Sequence, residues 1–166
     1  MVKLDTGGIA KGECENFSIH GHAYRMEFQN AQPSPVLGKM QPTADYENHY
    51  RGKDPARWRS NVRNYSQVWL RGIYPGIDYE MLAATDGAKY NFHVKAGSDA
   101  SVIRLKFSGV SDMRIEKGEL QIRTTVNRVT EQKPYAYQLI NGEVKEVPCR
   151  FRLQDRVVWF EFPEGY

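Results

Sequence analysis

Apolar and polar residues alternate with a period of two along most of this chain. Ile103, Leu105 and Phe107, for example, alternate with the basic residues Arg104 and Lys106. Similar alternation occurs in the segments 24–28, 77–81, 90–94, 120–123 and 150–153. Successive side chains of a β-strand point to opposite faces, so each segment can turn one face to a core and the other to water. The pattern predicts half-buried β-strands along most of the sequence.

Turn signals that contain glycine separate these predicted strands. Asn-Gly at 141–142 supplies the two positive φ angles of a type I′ hairpin turn. Asp-Gly at 86–87 and Lys-Gly at 117–118 also lie between alternating segments. Short strands with turn signals at this spacing are typical of a sandwich or a barrel. We therefore predict an all-β fold, mostly an antiparallel β-sandwich.

One short helix is predicted near residues 54–59. Asp54 is a suitable N-cap, and Pro55 is a suitable first helical residue. A chain of 166 residues matches the length of one domain, so we expect a single sandwich-like domain over residues 1–166. No apolar run approaches the ~20 residues that a membrane span requires. The first residues also lack the pattern of a secretory signal peptide.

The charge of the chain is mildly basic and mixed along its length. The 23 basic and 20 acidic residues give a net charge of +3. The densest basic stretch, residues 51–63, is interrupted by Asp54 and by aromatic residues. Nucleic-acid-binding proteins usually concentrate lysine and arginine on one element or face, so this pattern argues against nucleic acid as a partner. A solvated surface segment is the favoured interpretation of the basic stretch.

His20 and His22 are the one local hint of a metal site. Residues two apart on a strand share a face, so both imidazoles could reach one ion. A zinc site needs three or four ligands, and here two are arranged locally. We interpret the pair as hydrogen-bonded histidines at the end of a strand, with no metal. The sequence contains no nucleotide-binding loop and no nucleophile elbow, so neither a cofactor nor an enzymatic activity is predicted.

Cys14 and Cys149 are the two cysteines of the chain, which is too few for a zinc ribbon or a zinc finger. They are candidates for one disulfide in an oxidising compartment. They are equally candidates for two small buried apolar residues, and the sequence leaves both alternatives open. Because Cys149 is in phase with Phe151 and Leu153, we expect it to face the core.

Aromatic and arginine residues are interleaved between residues 57 and 74. Such a mixture can form a flat stacking surface for sugars or bases. The candidate binding residues are Arg57, Trp58, Arg59, Trp69 and Tyr74. Trp69 stands between two apolar residues that point to the opposite face, and we favour core packing as the explanation for its ring.

Asp78 and Glu80 occupy alternate positions of a predicted strand and therefore share a face. Paired carboxylates are the catalytic groups of glycosidases. Two acids on an exposed strand face are more often solvated, and we favour that interpretation here. An enzyme is accordingly the third hypothesis, behind the two binding hypotheses that follow, and nucleic-acid binding is the fourth.

The segment 47–78 carries a motif that is specific enough to indicate a family. The residues that carry it are Asn48, Gly52, Asp54, Pro55, Trp58, Asn61 and Val62, followed by Tyr74, Pro75, Gly76, Ile77 and Asp78. The sequence resembles the β-rich domain of unknown function that precedes beta-propeller (SBBP) repeats in secreted and cell-surface bacterial proteins. Those proteins include gliding and type IX secretion-associated proteins. The resemblance covers roughly residues 22–162.

The resemblance implies a compartment and an architecture but brings no catalytic residues. It implies an extracellular or cell-surface location and a fragment of a longer multidomain protein. The leading hypothesis is a non-catalytic structural or adhesion module, with other domains of the same polypeptide or cell-surface components as partners. The alternative is a carbohydrate-binding accessory module of a polysaccharide-processing protein, with glycans as partners. For Trp58 itself, we favour a structural role in which its ring packs the short helix onto a sheet.

Overall fold

Antiparallel strands dominate the computed structural model, which describes residues 20–38, 40–85 and 87–166. About 59% of the described residues are in strands and 4% are helical, and no described helix reaches seven residues. The prediction of an all-β fold with antiparallel sheets is therefore confirmed. In the described part of the chain, no helix is long and apolar enough to cross a membrane.

The strands and helices follow one another closely along the chain. The strands are β1 (Arg25–Phe28), β2 (Val36–Leu37), β3 (Gln41–His49), β4 (Arg59–Tyr74), β5 (Ile77–Ala84), β6 (Gly87–Val94), β7 (Leu105–Ser108), β8 (Asp112–Glu116), β9 (Glu119–Arg123), β10 (Arg128–Glu131), β11 (Ala136–Ile140), β12 (Glu143–Val147), β13 (Arg150–Gln154) and β14 (Val157–Glu161). Two short 3-10 helices span Pro55–Arg57 and Ala100–Val102. The first confirms the short helix expected near residues 54–59, and the second was not predicted.

Four antiparallel sheets contain these strands. A five-stranded sheet has the order β2-β4-β5-β6, with β3 also pairing to β4. A four-stranded sheet has the order β1-β7-β14-β13, and a three-stranded sheet has the order β10-β9-β8. The hairpin of β11 and β12 forms a separate two-stranded sheet.

Two clusters of buried side chains form the core. One cluster joins the four-stranded sheet to the three-stranded sheet, and its buried members are Leu105, Phe107, Val110, Leu120, Ile122, Phe151 and Val158. The other lies under the five-stranded sheet, and its buried members are Ile73, Tyr74, Ile77, Tyr79, Ala100 and Ile103. Phe28, Tyr90, Phe92 and Phe160 pack against both clusters. These four rings connect the five-stranded sheet to the four-stranded sheet in a sandwich-like arrangement.

The turns between strands have the backbone conformations that their residues predict. Asn141 and Gly142 both have positive φ, as a type I′ turn requires. Lys117 and Gly118 also both have positive φ. Gly76, with φ of +69°, closes the turn from β4 to β5. The turns at 141–142 and 117–118 therefore confirm two of the predicted hairpin positions, and residue 86 of the third lies outside the described residues.

Candidate functional site

Residues 41–66, called the arm below, form a two-stranded ribbon outside both core clusters. β3 pairs only with β4 among the described strands, and its partners are residues 59–67 of β4. No residue of the arm is buried. The pairing of β3 with β4 contains several register shifts, and β3 includes Pro42. Bulges and proline are the usual protection of a free sheet edge against pairing with another chain.

The family-like motif residues build the tip of the arm. Gly52 has φ of +74°, and its carbonyl accepts a 3.2 Å hydrogen bond from Trp58 Nε1. The Asp54 carboxylate caps the short helix by accepting from the backbone N–H of Ala56 at 3.0 Å. Asn61 has positive φ, and its N–H donates to the side chain of Asn48 at 2.9 Å. Each of these contacts fixes the local backbone conformation. The contacts therefore account for the residue types of the motif, and no ligand is needed to explain them.

Two aromatic rings are exposed at the tip. Tyr50 and Trp58 meet edge to face, with ring centroids 5.5 Å apart. Tyr50 is 59% exposed and Trp58 is 38% exposed. The interpretation that Trp58 packs the short helix onto a sheet is therefore wrong. Its ring lies on the arm because β4 extends beyond the edge of the packed sheet before the chain reaches the core.

Basic residues adjoin the two rings in the sequence, since Arg51 follows Tyr50 and Arg57 precedes Trp58. His49, Arg51 and Arg57 line a surface depression of about 360 Å³. Arg51 and Arg57 form no ion pair with any residue that the structure describes. Arg59 has a different role, because its guanidinium donates to the carbonyls of Ala56 at 2.9 Å and Trp58 at 2.8 Å. Arg59 thus braces the tip, while Arg51 and Arg57 remain available to an anion.

Trp69 lies far from this tip, on the outer face of the five-stranded sheet. Leu70 packs against the core on the opposite face, so the interpretation of Trp69 as a core residue is wrong. The Arg71 guanidinium lies 4.0 Å from the centre of the indole. The His93 ring lies 4.5 Å from it. Because Arg71 and His93 lie against its indole ring, Trp69 does not present a free ring face on which a sugar could stack.

Glu80 is the centre of a hydrogen-bond network beside Trp69. Its carboxylate is 6% exposed and accepts from Asn91 at 2.7 Å, from His93 Nε2 at 2.9 Å and from Gln67. Burial raises the pKa of Glu80, but these three hydrogen bonds more than offset burial and hold the pKa below its usual value. The expectation that this carboxylate is solvated is wrong.

Asp78 lies on the same face and is also largely buried. Its carboxylate accepts from Arg71 at 2.7 Å and from the backbone N–H of Gly72 at 2.7 Å. Burial acts to raise the pKa of Asp78, and the contacts with Arg71 and Gly72 lower it below its usual value. A glycosidase needs one carboxylic acid that stays protonated to donate to the leaving group. With the pKa of both Asp78 and Glu80 lowered, this pair suits a structural network better than that chemistry.

The remaining candidate residues do not join a site. Tyr74 is 1% exposed, and its hydroxyl donates to the carbonyl of Gln29 at 3.0 Å, so it belongs to the core and is not a binding residue. Burial raises the pKa of the half-buried Cys149 thiol to about 11. A disulfide between Cys149 and Cys14 involves residue 14, which lies outside the described residues.

The two candidate metal-binding histidines do not form a metal site in the structure. His20 and His22 both precede β1, so the expectation that they share a strand face is wrong. His22 Nε2 donates to the carbonyl of Gly109 at 2.7 Å, and its Nδ1 accepts from the Thr125 hydroxyl at 2.9 Å. Both ring nitrogens of His22 are therefore used within the protein. Within residues 20–38, 40–85 and 87–166, no group of three potential metal ligands is found.

Sequence reasoning missed two residues at the tip of the arm. Tyr50 and Arg51 were not candidates, although they directly precede the glycine of the motif. The signal that could have found them is their position in the same short segment as Trp58 and Arg57. A second exposed aromatic pair, Tyr135 and Tyr137 beside and within β11, lies 5.8 Å between centroids and has no arginine in its sequence neighbourhood.

Comparison with known proteins gives one match. A family model described as a domain of unknown function (DUF7948) matches residues 4–166. No curated protein matches the chain, and no solved structure matches it.

Proposed function

The chain belongs to the DUF7948 family, a domain of unknown function, and from that premise we propose that it is a non-catalytic adhesion module of a secreted or cell-surface bacterial protein. The observation that carries the proposal is the arm, which holds Tyr50 and Trp58 exposed, each next in sequence to an arginine that forms no ion pair among the described residues. Aromatic residues and arginine are the residue types most enriched where proteins make energetically important contacts.

The form of the arm also favours contact over catalysis. A two-stranded ribbon on its own is marginal in water, and the arm is held in place by the continuation of β4 into the packed sheet. Catalytic groups need a rigid, enclosed setting in which their pKa values are shifted. The arm is open on all sides, and its exposed side chains suit a partner that covers them.

The resemblance of the tip motif supports the location. The motif residues lie in the arm or at the junction of β4 and β5, and the SBBP-associated domains that they resemble occur in secreted and surface proteins. We therefore include in the proposal an extracellular or cell-surface location next to such repeats. The partners would be other domains of the same polypeptide or components of a cell surface.

Carbohydrate binding is the second candidate function, and one observation favours it. A pure spacer would bury all three tryptophans, whereas Trp58 is 38% exposed. An exposed indole with a fixed orientation is a common stacking surface for a sugar ring. A carbohydrate-binding module and an adhesion module are compatible, because a glycan can be the surface to which the module adheres.

A bead-adhesion assay tests the proposal. The full chain is attached to beads, and bead retention under flow is measured on films of neutral and acidic bacterial polysaccharides and on bare films. The Tyr50→Ala/Trp58→Ala variant is expected to lose retention, because it removes both exposed rings at the tip of the arm. The matched control is Tyr135→Ala/Tyr137→Ala, which removes the other exposed aromatic pair and should keep retention.

Equal retention of the wild-type and arm-variant beads on every film would overturn the adhesion proposal. Equal losses in the arm variant and the control variant would also overturn it, since retention would then reflect general surface hydrophobicity. Folding of each variant is checked by its thermal unfolding, which should change little because all four rings are exposed.

A further inference from the structure

We propose that the tip of the arm binds an acidic polysaccharide, with a sugar ring against Tyr50 and Trp58 and its anionic group in the depression lined by Arg51 and Arg57. The inference rests on the proposed adhesion function and names its ligand class. The anionic group is a carboxylate or a sulfate, which share the chemistry that an arginine recognises.

The charge distribution of the chain is the first argument. Residues 47–63 contain five basic and two acidic residues, a net charge of +3, and the whole chain also has a net charge of +3. The rest of the sequence therefore has equal numbers of acidic and basic residues. All the excess charge lies on an exposed part of the fold, where its field attracts a polyanion. The sequence shows the dense basic stretch at residues 51–63 but does not show the ribbon that separates it from the rest of the fold.

The depression at the tip is the second argument. It is an open depression of about 360 Å³, which can accept a charged group but does not enclose a ligand. Its lining consists of His49, Arg51 and Arg57, and the two arginines carry positive charge at neutral pH. Within the arm, the one described ion pair joins His49 to Glu47 at 3.5 Å. A guanidinium that is not committed to an internal carboxylate can bind a carboxylate or a sulfate through two parallel hydrogen bonds.

The fixed aromatic pair is the third argument. The Nε1 of Trp58 is tied to the carbonyl of Gly52, and the Tyr50 ring meets the indole edge to face. The orientation of the indole is therefore set before a ligand arrives, which reduces the entropic cost of binding. Trp58 directly follows Arg57, and Tyr50 directly precedes Arg51, so each ring has a cation beside it in sequence.

The same observations fit a nucleic acid less well. Single-stranded nucleic acids stack successive bases on successive aromatic rings, whereas Tyr50 and Trp58 contact each other and form a single aromatic cluster. Duplex binding draws much of its affinity from many phosphate contacts, on the order of 6–10 in a representative case. The tip has five basic residues, and Arg59 among them is bound to two backbone carbonyls. One charged sugar unit at a time matches this small cluster better.

Affinity measurements with the full chain test the inference. The probes are an oligogalacturonide, its fully methyl-esterified form, a sulfated oligosaccharide of equal length and a single-stranded DNA of equal charge. We expect binding to the carboxylated or the sulfated probe and at least a tenfold weaker Kd for the methyl ester. Affinity should fall steeply between about 50 and 500 mM salt, because the contact is between exposed charges.

Charge-matched variants locate the binding site. Arg51→Gln/Arg57→Gln should weaken acidic-sugar binding by about tenfold or more, since it removes two charge-assisted contacts. The control Arg123→Gln/Arg128→Gln removes the same charge from two exposed, cross-strand residues of the three-stranded sheet. That control should keep wild-type affinity. Equal losses in the two variants would overturn the inference, because attraction would then depend on net charge alone.

Three other results would overturn the proposed ligand class, and the bead-adhesion assay would show whether the adhesion proposal fails with it. Equal affinity for the methyl ester would assign the rings to a neutral sugar, with bead retention unchanged. Tighter binding of the DNA that depends on Arg51 and Arg57 would assign the tip to nucleic acid. No binding of either acidic probe, with bead retention intact, would reject the ligand class while adhesion stands.

Discussion

The substitution Gly76→Ala tests how closely the turn between β4 and β5 packs against the loop that follows β6. Gly76 has φ of +69°, and a Cβ added there would lie 1.9 Å from Ser98 Oγ and 3.0 Å from Ser98 Cβ. Its carbonyl accepts from the N–H of Lys95 at 3.0 Å, which holds the two loops together. The turn directly joins Tyr74 and Ile77, which are both buried in the core.

Two separate costs contribute to the expected loss of stability. An alanine with this backbone conformation costs about 1–2 kcal/mol. Overpacking against Ser98 adds about 1–3 kcal/mol, because the serine hydroxyl can rotate away but its Cβ cannot. We expect Gly76→Ala to lower the free energy of unfolding by about 2–5 kcal/mol. Gly97 is the control, since its φ is +77° but a Cβ there would meet nothing within 4 Å.

Denaturant unfolding of five variants separates the two costs. Gly97→Ala should lose only the backbone cost of about 1–2 kcal/mol. The double variant Gly76→Ala/Ser98→Gly, measured against Ser98→Gly, should recover the overpacking cost and leave the backbone cost. Ser98→Ala in the Gly76→Ala background should recover less, because it keeps the Cβ. The midpoint should shift at constant slope, as expected when only stability changes.

The reasoning would be refuted if Gly76→Ala lost no more stability than Gly97→Ala. It would also be refuted if Ser98→Gly gave no recovery. Either outcome would mean that the loop after β6 moves away from the turn at little cost, and that the two loops do not pack as closely as their distances indicate.

Three further predictions concern the arm and the outer face of the five-stranded sheet. The folded-state pKa values of Asp78 and Glu80 are lowered. Their contribution to stability is therefore complete above their unfolded pKa values of about 4 and is lost as the pH falls through the folded-state pKa values. Thermal unfolding measured against pH should show a smaller acid-induced loss of stability in the Glu80→Gln variant than in wild type. Trp69→Ala should lower the free energy of unfolding by about 2 kcal/mol or more, and Trp58→Ala should lower it by less than about 1 kcal/mol. The difference is expected because only Trp69 packs against the body of the sheet. Similar losses of the two variants in denaturant unfolding would contradict the placement of Trp58. Amide hydrogens of residues 41–66 should exchange faster than those of the second half of β4, since the arm lacks a buried face; equal protection by mass spectrometry would contradict the separation of the arm from the core.

The strands and turns could be predicted from the sequence because both depend on local patterns. The side chains of Leu105 and Phe107 alternate with polar ones, and their burial follows from that alternation. The positive φ angles at Asn141 and Gly142 follow from the residue types. Each of these features needs information from only a few neighbouring residues.

The face of Trp69 could not be predicted, because Val68, Trp69 and Leu70 are all apolar and a period of two cannot choose between them. Pairing with β5 decides the matter, since it places Trp69 opposite Glu80. The Glu80 network requires the register of three strands, with Glu80 opposite Asn91 on the far side. A sequence shows which residues alternate within a strand but not which residues of separate strands become neighbours.

The exposure of Trp58 has a similar physical origin. Tryptophan is usually buried, so burial was the reasonable expectation from its type. Whether a long strand leaves the packed sheet depends on how far its partner strands extend. β5 pairs with β4 only from Gln67 onward, and the first part of β4 is left with β3 alone. The arm is thus a consequence of unequal strand lengths, which no local pattern reveals.

The continuity of β4 gives the module a mechanical property. β4 is one strand of 16 residues, about 50 Å long at ~3.3 Å per residue, and it runs from the tip of the arm into the body. A force applied to the tip along this strand loads its hydrogen bonds to β5 in shear and simultaneously. It does not break them one after another, as a force perpendicular to the strands would. Separation then requires several bonds to break together. If the arm binds a surface as proposed, β4 could bear tension along its length that would separate the strands of a hairpin pulled across its end.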